Sequence, residues 1–102
     1  MRRFTTPTLT ITVEGVDLTA QEVMVTFQQR SRTLTVEQPT MALVDGDTVI
    51  SVPLTQLQTG GFAEGSAEVQ VNWLDGNGHR DATTIGAIQV ERNLLDEVVE
   101  DD

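Results

Sequence analysis

The segment Ala67–Val90 constrains the fold of this chain more than any other part of the sequence. Val69, Val71 and Trp73 alternate with polar residues, which is the period-2 pattern of a strand with one buried face. The cluster Asp75–Gly78 follows, where Asp, Gly and Asn favour a reversal of the chain. The segment therefore predicts two antiparallel strands joined by a turn, with Trp73 on the core side.

Earlier parts of the chain repeat the alternation of apolar and polar residues. Five further strands are predicted: Thr8–Val13, Glu22–Gln28, Thr33–Glu37, Met41–Val44 and Thr48–Val52. We expect Ile50 and Val52, rather than Val49, to face the core from the last of these. Short strands with turn signals about every ten residues predict an all-β, Ig-like antiparallel β-sandwich of six to eight strands.

Two places depart from simple alternation. Thr55 and Gln58 have the spacing of a capping box, which predicts a short helical turn near 54–58. Leu54, Leu57 and Phe62 are expected to close the end of the core beside it. On the return strand, a β-bulge near Gly86 would bring Ile85, Ile88 and Val90 to the core side together.

The C-terminal residues differ from the rest of the chain in composition. We expect a sandwich domain over 1–92 and an acidic tail over 93–102. A short C-terminal helix is predicted from four apolar residues at helical spacing: Leu94, Leu95, Val98 and Val99. The acidic residues around them are Glu97, Glu100, Asp101 and Asp102. This helix would dock on a neighbouring subunit; alternatively Leu94 and Leu95 cap the last strand of their own chain.

Composition excludes several classes of function. The chain of 102 residues has a formal charge of −10 and no cysteine, so disulfides, zinc–thiolate sites and thiol catalysis are excluded. A surface so acidic is a poor partner for nucleic acid, and no apolar run has the length of a membrane helix. We therefore expect neither partner, no cofactor, and a location in the cytoplasm, which the chain would leave only as part of an assembly.

Candidate chemistry centres on the turn after the Trp73 strand. His79 is the sole histidine, and no strained Ser or Cys accompanies it as a nucleophile, so we expect no enzymatic activity. Asp75, Asn77, His79 and Asp81 alternate like the first ligands of a calcium loop. The EF-hand pattern nevertheless fails at its sixth and twelfth positions, and a hairpin turn explains the same residues. An irregular Ca²⁺ site, joined by Asp45 or Asp47, stays open as an alternative.

Parts of the sequence resemble small prophage-encoded proteins. The matching segments are Arg2–Pro7, Val13–Leu18, Leu54–Gln56, Phe62, Gly65, Val69–Val71, Gly78, Ala82–Thr83 and Asn93–Leu95. The chain also resembles the Ig-like N-terminal domain of phage baseplate upper and receptor-binding proteins. The resemblance implies a structural or accessory role in a phage. It implies no catalytic residue and does not extend to the distal receptor-binding region of those proteins.

These observations predict a protein that acts by contact with other phage structural proteins or with itself. The contact would use an exposed sheet edge or the C-terminal segment, with four arginines as cationic anchors: Arg2, Arg3, Arg30 and Arg32. Two alternatives remain open. One is an acidic mimic of DNA that inhibits a host protein, and the other is a metal-dependent glycan-binding module.

Overall fold

The computed structural model describes residues 1–100, and its elements are eight strands and one short helix. In chain order they are β1 (Thr8–Val13), β2 (Glu22–Gln29), β3 (Arg32–Glu37), β4 (Thr40–Val44), β5 (Asp47–Pro53), α1 (Gln56–Gly60), β6 (Gly65–Leu74), β7 (Arg80–Ala82) and β8 (Gly86–Val90). All strand pairings within the two sheets are antiparallel. The all-β sandwich class is confirmed.

The strand order follows an Ig-like scheme. The three-stranded sheet has the order β1-β5-β4, and the five-stranded sheet has the order β3-β2-β6 with β7 and β8 both on the far side of β6. In Ig nomenclature these are strands B-E-D and C′-C-F-G. Among residues 1–100 no strand occupies the position of strand A beside β1. Instead, Arg2 forms a parallel bridge with Glu91, directly after β8.

The core lies between the two sheets and is mostly aliphatic. Its buried apolar members are Val13, Leu18, Val23, Val25, Phe27, Ile50, Val52, Leu54, Phe62, Ala67, Val71 and Val90. Phe27 and Phe62 meet edge to face, with ring centroids 6.4 Å apart. The predicted inward faces are confirmed, including Ile50 and Val52, and Trp73 packs partly buried against the same core.

Two buried threonines attach loops to this core. The Thr48 hydroxyl donates to the carbonyl of Val16 (2.7 Å) and accepts from the amide of Leu18 (2.8 Å). The Thr59 hydroxyl donates to the carbonyl of Thr5 (2.8 Å) and accepts from its amide (3.0 Å). Each hydroxyl therefore satisfies two backbone groups that would otherwise lack partners in a water-excluded place.

The predicted helical turn is present as α1 and begins slightly later than expected. Thr55 and Gln58 form the reciprocal capping box: the hydroxyl accepts from the Gln58 amide and the Gln58 side chain accepts from the Thr55 amide. The prediction for Leu57 was wrong, since this side chain is 73% exposed. Leu57 lies two residues before the buried Thr59, which places it on the opposite side of the helix.

The return strand is interrupted rather than bulged at a single residue. β7 and β8 pair with β6 in registers that leave Thr83–Ile85 facing only Gln70 and Val71. The return strand therefore has one residue more than the part of β6 that it faces, as expected. The extra residue is accommodated in the segment Thr83–Ile85 rather than at Gly86. Ile88 packs against the core as predicted, whereas Ile85 is 59% exposed and its predicted place in the core was wrong.

The predicted C-terminal helix was also wrong within the described residues, because 91–100 contain no helical turn. A short isolated helix is marginal in water, and carboxylates near its C-terminal end oppose the helix dipole. The Asn93 side chain instead accepts from the Leu95 amide at 3.2 Å, a local turn that competes with helix formation. Asp101 and Asp102, which were predicted among the acidic residues around this helix, lie outside the described residues.

Candidate interaction surface

The C-terminal segment lies along its own chain. Gln56 on α1 forms two hydrogen bonds with the backbone of Val99, at 2.7 and 2.8 Å, and the Asn93 amide donates to the carbonyl of Arg3 at 3.1 Å. Leu94 and Leu95 nevertheless remain exposed, Leu94 at 89%. Val98 and Val99 are likewise exposed on the surface. The segment therefore combines intrachain attachment with four apolar side chains in contact with solvent.

Arg3 joins the end of α1 to the C-terminal segment. Its guanidinium donates to the carbonyls of Phe62 (2.6 Å) and Gly60 (3.0 Å) and forms an ion pair with Asp96. The same group lies 5.2 Å from the centre of the Phe4 ring. The planar fork of arginine satisfies several acceptors here at once, so Arg3 acts within the chain.

The other predicted anchors are divided between intrachain and surface positions. Arg2 lies 3.4 Å from the Glu91 carboxylate, and Arg32 stacks over the Phe62 ring at 5.1 Å. Arg30 is exposed at the β2–β3 turn, where its φ of 53° is in the left-handed region. Arg3 and Arg32 therefore both contact the segment from Gln58 to Phe62, whereas Arg2 pairs with Glu91.

The turn around His79 is organised by Asp75. The Asp75 carboxylate accepts from the backbone amides of Asn77 (2.8 Å) and His79 (2.9 Å) and lies 3.3 Å from the imidazole. These bonds, the one from His79 first, hold the pKa of Asp75 below its ordinary value. The carboxylate thus stabilises its own turn, which is the role that the hairpin interpretation predicts.

A polar depression of about 280 Å³ lies beside this turn. Its lining includes Trp73 and the ionisable side chains of Asp17, Asp75, His79, Arg80 and Asp81. Asp17 accepts from the hydroxyl and amide of Thr19, which lower its pKa, and Arg80 donates to Asn72. Within residues 1–100 no three carboxylate or imidazole groups come together in a way that would hold a metal ion.

The three-stranded sheet differs from all of these regions in having almost no charge. β1, β4 and β5 contain one charged residue, Asp47, whose carboxylate accepts from the Gly15 amide at 2.8 Å. Asp47 and Pro53 lie at the ends of β5 on the outward side of this sheet. We call the rest of that side the uncharged face; it consists of Thr8, Thr10, Thr12, Thr40, Ala42, Val44, Val49 and Ser51. For a chain with a charge of −10, such a face is the place where another protein can approach with least repulsion.

Hydrogen bonding shows which backbone groups of β1 point away from β5. The Leu54 amide donates to the Pro7 carbonyl at 2.9 Å, and this pair continues the β1–β5 register. Hydrogen-bonded pairs alternate along an antiparallel ladder, so Leu9, Ile11 and Val13 bond to β5. The amides and carbonyls of the alternate residues, Thr8, Thr10 and Thr12, therefore point to the other side.

The β4–β5 hairpin gives the same assignment independently. Asp45 and Gly46 both have positive φ, as a two-residue type I′ turn requires, so Val44 and Asp47 form the closing hydrogen-bonded pair. Alternate β5 residues then bond to β1, in agreement with the first assignment. We call the free side of Thr8–Val13 the β1 edge; no strand of residues 1–100 pairs with it.

A groove runs beside the β1 edge. It has a volume of about 210 Å³, and Ile11 and Thr12 line one side while Val69, Val71 and Thr83 contribute to the other. It lies where strand A would be expected in an Ig-like sandwich. Sequence reasoning anticipated an exposed sheet edge but not which one. Thr8–Val13 carry no charge and no proline, but Thr40–Val44 share this property, so the sequence offered no signal that distinguishes the two edges.

Two further findings complete the description. Over residues 1–100 no helix is long and apolar enough to cross a membrane. No protein-family model matches the sequence, and no curated protein matches it either.

Proposed function

We propose that this chain is a non-catalytic structural or accessory protein of a phage or prophage that acts by protein–protein contact. The observation that carries the contact role is the open, charge-free β1 edge in a strongly acidic chain. Edge strands bind partners by adding a strand to the sheet, because their unpaired amides and carbonyls form new hydrogen bonds. The phage context comes from the sequence resemblance described above.

The placement of the carboxylates supports this role over mimicry of DNA. A mimic needs acidic groups in a regular array on one face, as phosphates are in a duplex. Five carboxylates lie in strands: Glu22, Glu37 and Asp47 stand at strand ends, and Glu68 and Asp81 lie within β6 and β7. The other acidic residues of the sequence fall outside the strands, mostly in turns and towards the C-terminus. The charges are therefore concentrated where the sheets end, and the uncharged face is left free for contact.

Purification of phage particles tests the proposal. After induction of the prophage in the bacterium that encodes the chain, particles and assembly intermediates are separated on a density gradient and analysed by quantitative mass spectrometry. We expect the chain to accompany one of these species at fixed stoichiometry after a high-salt wash. Its recovery solely as free protein would contradict the proposed role.

The glycan-binding alternative has its own measurement. A Ca²⁺-dependent module would melt at a higher temperature with Ca²⁺ than with a chelator, since ligands that bind the native state stabilise it. We expect equal melting temperatures, because the Asp75 carboxylate is already bonded to its own turn. A rise in melting temperature that Asp75→Asn abolishes would favour the alternative instead.

A further inference from the structure

The β1 edge is self-complementary in sequence. Thr8, Thr10 and Thr12 carry the free backbone groups and are spaced symmetrically about Thr10. A two-fold axis at Thr10 would therefore place a threonine opposite each threonine. Such symmetry is what an interface between identical copies requires, because both copies use the same surface.

Register and overlap restrict the pairing of two β1 strands to two choices. Side chains that face the core must lie opposite side chains that face the core, so the two-fold axis must pass through a residue rather than between two residues. Among such axes, those at Thr10 and Ile11, in the middle of β1, give the longest overlap of the two strands. With the axis at Ile11, Thr8 would pair with Glu14 of the second copy and bring a carboxylate to each end of the junction.

With the axis at Thr10, all three free residues form hydrogen-bonded pairs. We therefore infer that two copies of this chain pair antiparallel through β1, with Thr10 opposite Thr10, to make one six-stranded sheet. This inference rests on the proposed contact function and names the first partner. Leu9 of the second copy then lies opposite Ile11, on the side of the groove between β1 and β6.

Charge restricts where a second copy can bind. Two chains of −10 repel each other over most of their surfaces, but β1 and the neighbouring outward residues of β5 carry no carboxylate apart from Asp47 at the end of the sheet. β4 is the other edge of this sheet, and it offers free backbone groups from only two residues, Met41 and Leu43, against three on β1.

Cysteine cross-linking tests the register. The chain has no cysteine, so a single introduced thiol is the sole reactive site. Across the junction, Cα atoms of Thr10 and its counterpart would be about 5.5 Å apart, within disulfide range. Oxidised Thr10→Cys should therefore form a covalent dimer. The matched control Thr12→Cys should not, because its two copies would be about 14 Å apart.

Sedimentation measures the association itself. The Thr10 amide points away from β5, so Thr10→Pro removes an edge donor without breaking an intrachain hydrogen bond. We expect at least a tenfold weaker dimer for Thr10→Pro and for Thr10→Lys, which sets like charges opposite each other. Thr10→Val and Ala42→Lys on β4 should leave the dimer intact, and circular dichroism verifies the fold of each variant.

Three results would overturn the inference: a wild-type chain that stays monomeric up to about 1 mM, cross-linking of Thr12→Cys as rapid as that of Thr10→Cys, or a dimer broken by Ala42→Lys alone. These outcomes are distinct from failure of the proposed function. A monomeric chain that still accompanies phage particles would remove self-pairing and leave the contact role in place.

Discussion

The two sheets of this sandwich differ in how their edge strands are protected. On the five-stranded sheet, the C-terminal end of β8 is covered by the N-terminal residues: the Met1 amine donates to the Gln89 carbonyl, and the Glu91 amide donates to the Met1 carbonyl. β3, the opposite edge of that sheet, has Arg32 and Glu37 at its ends. On the three-stranded sheet, β1 has neither a cover nor a charge.

This difference shows that edge protection here follows the path of the N-terminal segment. In many Ig-like sandwiches the first strand pairs with both sheets in turn. Here residues 1–3 pair only with β8, and Thr5 is then fixed to α1 by the buried Thr59. The segment reaches the three-stranded sheet only as β1 itself. Among residues 1–100 the position of strand A is consequently left as a groove.

The largest expected effect on stability distinguishes the two sides of β1: one side donates its amides to β5, and the other is the free β1 edge. Ile11→Pro removes an amide bonded to β5 and should destabilise the fold by about 3 kcal/mol or more. Thr10→Pro, one residue away, should cost the monomer less than about 1 kcal/mol, since its amide points outward. Urea denaturation of both variants measures the difference. Equal losses of stability would contradict the assignment of the β1 edge.

The buried threonines provide the next largest effect. Thr48→Val removes a hydroxyl that serves Val16 and Leu18, and each orphaned backbone group costs about 1–3 kcal/mol. The substitution is nearly isosteric, so the expected loss, seen in thermal or urea unfolding, reports hydrogen bonding rather than volume. Exposed Thr10→Val is the matched control and should change the free energy of unfolding of the monomer by less than about 0.5 kcal/mol.

The covered edge can be opened by a single substitution. Arg3→Lys keeps the charge. Its ammonium lacks the planar fork with which the guanidinium donates to the carbonyls of Phe62 and Gly60 and pairs with Asp96 at the same time. We expect a loss of about 1 kcal/mol and faster hydrogen exchange at the amide of Glu91, which bonds to Met1. Arg30→Lys, at an exposed turn, is the control. Unchanged exchange at Glu91 would mean that Arg3 does not hold the N-terminal cover in place.

The smallest effect concerns the acidic turn beside both sheets. Amide donors lower the pKa of Asp75 in the folded state, so its contribution to stability is present above the ordinary aspartate pKa and is lost as the pH falls through the folded value. NMR titration should give a midpoint for Asp75 below that of aspartate in a short unstructured peptide. Asp75→Asn should remove this part of the acid dependence. A midpoint at or above the peptide value would contradict the turn geometry.

Local pattern was sufficient for elements whose structure depends on neighbouring residues. The alternation in Thr8–Val13 and the Asp45-Gly46 turn were predictable, because side-chain period and positive φ are local properties. The capping box of Thr55 and Gln58 was predictable for the same reason. Leu57, Ile85 and the tail were not, because their burial depends on what another part of the chain places beside them.

The sequence by itself determined an acidic, cysteine-free β-sandwich and the face of each main strand that enters the core. Only the tertiary structure decided that residues 1–3 lie beside β8 and that the β1 edge remains open. The reason is that an edge is a relation between segments distant in the chain. The sequence specifies that Thr10 has a backbone amide. Whether that amide has a hydrogen-bond partner depends on where the other strands lie.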